Sequence, residues 1–262
     1  MEREKYDKIG VGYNNTRKAD PYICQSLIYH LNGQQDQSFL DIGCGSGNYT
    51  SAFIKAGLNF IGMDPSEHML RQAQRNCPEG IWKQGRAENT GFDEDFFDGI
   101  VGSLTIHHWQ NLDDAFRELY RVMRPNGDLV LFTSTPDQMK GYWLNAYFPK
   151  MLSDSMIQMP RLELITQSLT NAGFKIDAIE KYFVTSELQD LFLYSGKQRP
   201  SLYLDPEVRH GISSFSDLAN QKEVTAGIKQ LAADIDNHEI QNVMSRYEND
   251  LGDYLFVKAQ KN

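Results

Sequence analysis

The sequence predicts an α/β fold: a parallel sheet with helices on both faces, plus a mostly helical cap and insertion. Two observations carry this. Residues 39–134 alternate short apolar runs with segments of helical periodicity, the pattern of repeated strand–helix–strand units. The first such unit turns from strand to helix through Gly43-Cys-Gly-Ser-Gly47. Glycines on alternate positions let bare backbone approach a flat ligand.

The elements follow in order. Phe39–Ile42 reads as the first strand. Tyr49, Ala52, Phe53 and Ala56 recur at helical spacing, and Gly57 stops that helix. Leu58–Met63 is the second strand. Pro65 is expected to open the next helix, with Met69, Leu70 and Ala73 on one face. Ile81–Gln84 and Asp98–Ser103 are the third and fourth strands. Leu112, Ala115, Phe116, Leu119, Tyr120 and Met123 stripe the following helix, and Asp113 and Asp114 suit its positive end. Arg124-Pro-Asn-Gly127 reads as a turn before a fifth strand, Asp128–Thr133.

Flanking segments complete the division of the chain. Residues 1–38 are expected to form an N-terminal lid segment, with one helix near Tyr22–Leu31. Residues 39–185 and 251–262 are expected to form the core, ending in strands at Phe174–Val184 and Gly252–Ala259. Within it, 135–160 is too apolar for a solvent loop and reads as a cap. Pro160 then precedes a helix carrying Leu162, Ile165 and Leu169, stopped by Gly173. Residues 186–250 read as a helical insertion shaping the substrate pocket.

Bulk composition narrows the function. With 262 residues the chain builds a full core without staples, and 40% hydrophobic and 23% charged residues are ordinary for a soluble domain. A formal net charge of −9 disfavours non-specific phosphate-backbone binding, so no nucleic-acid partner is expected. Cys24, Cys44 and Cys77 lack paired-ligand spacing, so neither a metal site nor a disulfide framework is expected. No apolar run approaches a membrane span, and the charged start lacks a leader's apolar stretch. The expectation is a cytoplasmic protein, monomeric or homodimeric.

In open parallel sheets, ligands sit beyond the carboxyl ends of the strands, where strand order reverses. Four segments fall there. The glycine loop follows Asp41, which can reach a hydroxyl or a cation. Asp64 ends the second strand and can accept from both hydroxyls of a ribose. Gly85-Arg-Ala-Glu88 can meet a purine edge. Ser103-Leu-Thr-Ile-His-His-Trp109 follows the fourth strand. Dinucleotide enzymes share this layout but use G-x-G-x-x-G beneath a pyrophosphate. Here the spacing is G-x-G-x-G, and an anion beside Asp41 is repelled where a sulfonium is tolerated. The electrostatics favour S-adenosylmethionine over a nicotinamide dinucleotide, which stays as a distant alternative.

Taken together, these segments resemble the class I S-adenosylmethionine-dependent methyltransferases, specifically the small-molecule group called the type 11 methyltransferase domain. The likeness runs from Phe39 to Thr133. It includes Leu40-Asp-Ile-Gly-Cys-Gly-Ser-Gly47, Gly62-Met-Asp-Pro-Ser66, Gly85-Arg-Ala-Glu88, Asp98-Gly-Ile-Val-Gly-Ser103 running into His107-His108, and Leu119-Tyr-Arg-Val-Met-Arg-Pro-Asn-Gly127. The resemblance implies a three-layer, Rossmann-like, seven-stranded sheet with an antiparallel last strand. It implies S-adenosylmethionine as cofactor, with its methionyl end over Gly43, Gly45 and Gly47. The ribose would lie at Asp64 and the adenine near Met63, Ala87 and Glu88, with Met69 and Ser103 also on the cofactor. Tyr6, Tyr13 and Arg17 look like the segment that closes over it.

Methyl transfer needs alignment of a nucleophile and exclusion of water; a base is needed only when the acceptor must lose a proton. His107 and His108 are the candidates for that base, against a role in lining the pocket. Trp109, Trp143, Tyr147, Phe148, Arg199, Tyr203 and Arg209 are tentative substrate residues: aromatics for an apolar wall, arginines for a carboxylate or phosphate. Core packing and ordinary ion pairing are the plainer readings. The expected activity is methyl transfer to a small molecule. Methylation of RNA or protein, and a non-catalytic cofactor-binding module, are the alternatives.

Overall fold

A computed structural model of the chain describes residues 16–262. Seven strands form one sheet: β1 (Ser38–Ile42), β2 (Asn59–Asp64), β3 (Ile81–Gln84), β4 (Phe97–Ser103), β5 (Met123–Thr133), β6 (Phe174–Tyr182) and β7 (Tyr254–Lys261). Their spatial order is β3-β2-β1-β4-β5-β7-β6. The pairings among β1 to β5 are all parallel. β7 runs antiparallel to both of its neighbours, as in Leu131↔Val257 and Ile179↔Val257. The order reverses between β1 and β4, so the crevice above those two strands is the natural ligand site.

Alternating side chains divide the core into two layers, as the period of two in a strand requires. Phe39, Val101, Val130 and Phe132 point into one layer; Leu40, Ile100, Leu129 and Leu131 point into the other. The first layer is covered by α1 (Pro21–Leu31) and α2 (Asn48–Lys55), the second by α4 (Leu112–Val122) and α7 (Leu162–Ala172). Each fully buried large apolar side chain contributes roughly 1.5–3 kcal/mol. These are the layers that fix the strand ends carrying the site.

Capping explains the helix boundaries. Asp20 accepts hydrogen bonds from Tyr22 N and Ile23 N and starts α1. The next helix in the crevice, α3 (Glu67–Asn76), starts at Ser66, whose hydroxyl accepts from Met69 N. Pro65 therefore precedes the cap rather than opening the helix. Met123, expected to end the stripe of α4, begins β5 instead. The turn expected at Arg124–Gly127 is an irregularity inside β5: the β4–β5 register shifts between Phe97 and Gly99, and Asn126 adopts φ 66°.

Beyond β5, short helices α5 (Pro136–Lys140) and α6 (Pro149–Gln158) fold over the sheet. Residues 183–199 are irregular, and helical structure resumes from 200 in α8 (Pro206–His210), α9 (Gln221–Asp236) and α10 (Ile240–Ser245). The insertion is thus less helical at its start than its sequence suggests. Trp143, Tyr194, Tyr203, Phe215 and Leu231 share one continuous layer with Phe39 and Phe132. No described helix is long and apolar enough to cross a membrane.

Candidate active site

The glycine loop leaves β1 and is tied at once to β2, because Gly43 N and Cys44 N both donate to Met63 O, at 2.8 and 3.0 Å. Gly43 has φ +74°, and a Cβ there would lie 1.9 Å from Thr105 Oγ1. Only glycine fits. Gly45, at φ +55°, would meet nothing within 4 Å and opens onto a cavity. Gly47 differs: it starts α2 and packs against the Trp82 ring, and it is not on the cavity wall. The loop's third glycine thus serves packing, a distinction its spacing did not show.

Asp64 lies on the cavity wall at the end of β2 and is 8% exposed. Its Oδ2 accepts from Gly45 N at 2.9 Å and its Oδ1 from Ser66 N at 2.8 Å. Each oxygen retains a further lone pair. Burial raises its pKa, and the two N–H donors oppose that rise.

Asp41 is not on the wall. It is buried beneath the loop, where Thr50 Oγ1 donates to it at 2.6 Å. Burial pushes its pKa from 3.8 up to about 7, against the Thr50 hydrogen bond and helped by the nearby Asp64 charge. A carboxyl whose folded pKa is raised binds a proton in the folded state that the unfolded chain has lost. Stability therefore falls as pH rises from about 4 to 7, by on the order of 4 kcal/mol from this group. Asp41→Asn keeps an acceptor for Thr50 and removes the charge. We expect this variant to be more stable than the parent at about pH 8, with the difference vanishing near pH 4 in urea unfolding.

The main cavity has a volume of about 430 Å³. It lies beyond the carboxyl ends of β1 to β4, with Gly43, Gly45, Asp64, Met69, Ala87, Glu88 and Ser103 on its wall. Ser103 Oγ is buried and lacks a hydrogen-bond partner among the described residues. Glu88 Oε1 accepts from Gln110 N and Asn111 N, so this carboxylate also ties the β4–α4 loop to the wall. Trp109 lines the cavity while packing edge-on against Phe116. Met63 is fully buried below the wall and does not reach the cavity.

A second chamber of about 120 Å³ adjoins the first; Arg17, Leu104, His107, His108 and Gln158 line both. The two histidine rings lie 3.9 Å apart, tilted by 46°. Arg17 Nε and Nη2 donate to Asp190, which is 1% exposed and also accepts from the Tyr49 hydroxyl. Asn48 Nδ2 donates to Arg17 O, and Leu191 N donates to Thr16 O. The segment around Arg17 is therefore pinned to both α2 and the irregular loop near Asp190.

Several expected substrate residues lie elsewhere. Trp143 is 1% exposed and donates its indole N–H to Lys197 O. The Tyr147 hydroxyl donates to Asp234, and the Tyr203 hydroxyl to Leu193 O. Arg199 and Arg209 spend N–H groups on the carbonyls of Leu188 and Tyr203. None of these five is on either cavity wall; the hydrogen bonds named above tie the insertion together instead. Tyr6 and Tyr13 lie outside the described residues. Asp190, Gln158, Phe192 and Ile212 do line the site and were not foreseen.

Comparison with known proteins decides the family. A methyltransferase-domain family model matches residues 40–131. A solved structure from Anabaena variabilis ATCC 29413, provisionally described as a methyltransferase from an antibiotic biosynthesis pathway, is 33% identical. It covers 93% of this chain, which in turn covers 98% of it, with a TM-score of 0.82. The chain belongs to the class I S-adenosylmethionine-dependent methyltransferases. Among curated methyltransferases, the demethylmenaquinone methyltransferase of Chlorobaculum tepidum is 26% identical over 55% of this chain and 68% of its own length. The malonyl-[acyl-carrier protein] O-methyltransferase of Erwinia billingiae is 27% identical over 52% of this chain and 54% of its own length. This methyltransferase uses S-adenosylmethionine, and the cavity suits it: Asp64 has spare acceptor capacity, Ser103 Oγ is an unused polar group, and Gly45 leaves open backbone.

Proposed function

We propose that this methyltransferase acts on a small molecule held in the smaller chamber, with the methyl group delivered at the junction of the two cavities. The observation that carries this is the shared wall of Arg17, Leu104, His107, His108 and Gln158. Bound S-adenosylmethionine supplies a methyl carbon already activated by a positive sulfur. The chain's own residues do the rest. Asp64 accepts from the ribose hydroxyls. Gly43 and Gly45 admit the methionyl end; Ala87 and Glu88 flank the adenine. Cap residues Met139 and Met159 and insertion residues Phe192 and Ile212 exclude water around the acceptor. The free thiols of Cys24, Cys44 and Cys77 and the acidic balance support a cytoplasmic enzyme for small acceptors rather than for nucleic acid.

His107 or His108 takes the acceptor's proton. Removing a positioned base costs roughly 10²–10⁴ in rate. Incubation with tritiated-methyl S-adenosylmethionine and a cell extract should label the ultrafiltrate of small molecules. Replacing both histidines by Ala should abolish most of that label while S-adenosylhomocysteine affinity stays within about threefold. Label confined to RNA or protein contradicts the small-molecule reading. Undiminished labelling by the double variant removes the histidines from the chemistry.

A further inference from the structure

We infer that the acceptor presents an uncharged, ring-sized apolar head bearing a hydroxyl: the chemistry of a phenol. This rests on the two-chamber reading above and deepens it. Size is the first ground. The chamber holds about 120 Å³ and opens into the main cavity through their shared wall, and an apolar cavity of roughly 150 Å³ binds one benzene ring, so a single ring is the scale of group it can take. Lining is the second. Leu104, Met139, Met159, Phe192, Ile212 and Leu218 give it apolar walls, and methionine adapts well to a flat aromatic face. Deeper in the wall, the Ser155 and Ser214 hydroxyls hydrogen-bond each other at 2.9 Å, which meets much of their own demand.

Charge is the third ground. The permanently charged side chains on the described wall are Arg17 and Asp217; His107 and His108, also on it, are neutral in the base role proposed for them. Arg17 already neutralises the buried Asp190. A phosphate or carboxylate head would shed its hydration and gain no surplus cation from these groups. A phenol enters without that cost. Its hydroxyl, with an ordinary pKa near 10, is also within the range that an imidazole can assist. An aliphatic alcohol is a much weaker acid.

The step balances with groups already named. The phenolic proton passes to a ring nitrogen of His107 or His108. An oxygen lone pair forms the O–CH3 bond as the C–S bond breaks, and that bond's electron pair stays on sulfur, which becomes neutral. The histidine then returns its proton to solvent.

The test uses fluorine NMR on the full chain saturated with S-adenosylhomocysteine, titrated with 4-fluorophenol and, separately, 4-fluorophenyl phosphate. The phenol is expected to bind at least about tenfold more tightly than the phosphate. Leu218→Trp, which fills the chamber, should weaken phenol binding about tenfold or more while S-adenosylhomocysteine affinity stays within about threefold. Ile212→Trp offers the same reading should the first variant misfold. Equal or tighter phosphate binding overturns the inference, as does phenol binding that is absent or indifferent to a folded chamber-filling variant. Loss of S-adenosylhomocysteine binding by the unaltered chain would instead overturn the two-chamber reading itself.

Discussion

Asp64→Ala is expected to lower affinity for S-adenosylhomocysteine on the order of 100-fold, since hydrogen bonds to a charged group contribute about 1.5–3 kcal/mol each. Two losses combine. The ribose would lose its acceptors. Gly45 N and Ser66 N would also lose theirs, freeing the glycine loop and the cap of α3 at once. Asp64→Asn should fall between, because an amide oxygen replaces one acceptor and the charge is gone. Titration calorimetry with the far-UV spectrum unchanged is the check. A loss below about threefold for the Ala variant would mean that the nucleoside does not rest on this carboxylate.

Trp143→Ala is expected to cost about 3–5 kcal/mol of stability and to leave cofactor affinity unchanged. The indole is buried, meets Tyr147 and Tyr203 edge-on with ring centroids 5.9 and 5.6 Å away, and satisfies Lys197 O. Its removal leaves a cavity and a buried carbonyl without its donor. For a domain of this size the melting temperature should fall by roughly 10 °C. Thermal unfolding with and without S-adenosylhomocysteine separates the effects. A stable variant with impaired acceptor binding would restore Trp143 to the substrate wall.

These two residues show what a sequence can and cannot disclose. Asp64 was legible because it closes a strand at a fixed distance from the glycine loop, and parallel topology brings such strand ends together. The sheet was legible for the same reason: strand and helix periods alternate cleanly from Phe39 to Thr133. Trp143, Tyr147 and Tyr203 were not, since apolar aromatics suit a core and a pocket equally well. Arg199 and Arg209 misled because nothing local reveals that backbone carbonyls absorb their N–H groups. The smaller chamber had no local signature. Met139, Phe192, Ile212 and Tyr254 come from four separated segments, and only the packing of the insertion unites them. Asp190 sits in an irregular loop without periodicity, and its link to Arg17 spans 173 positions.

The proposed position of the reactive methyl is the junction of the two chambers. It is tested most directly by isotope-filtered NOE spectroscopy on the full chain with S-adenosylmethionine carrying a 13C-labelled methyl group. Contacts from that methyl to Leu104 and to the His107 or His108 ring are predicted. Contacts instead to Met69 and Arg71, with none to Leu104 or either histidine, would place the sulfur at the opposite end of the cavity and contradict the account.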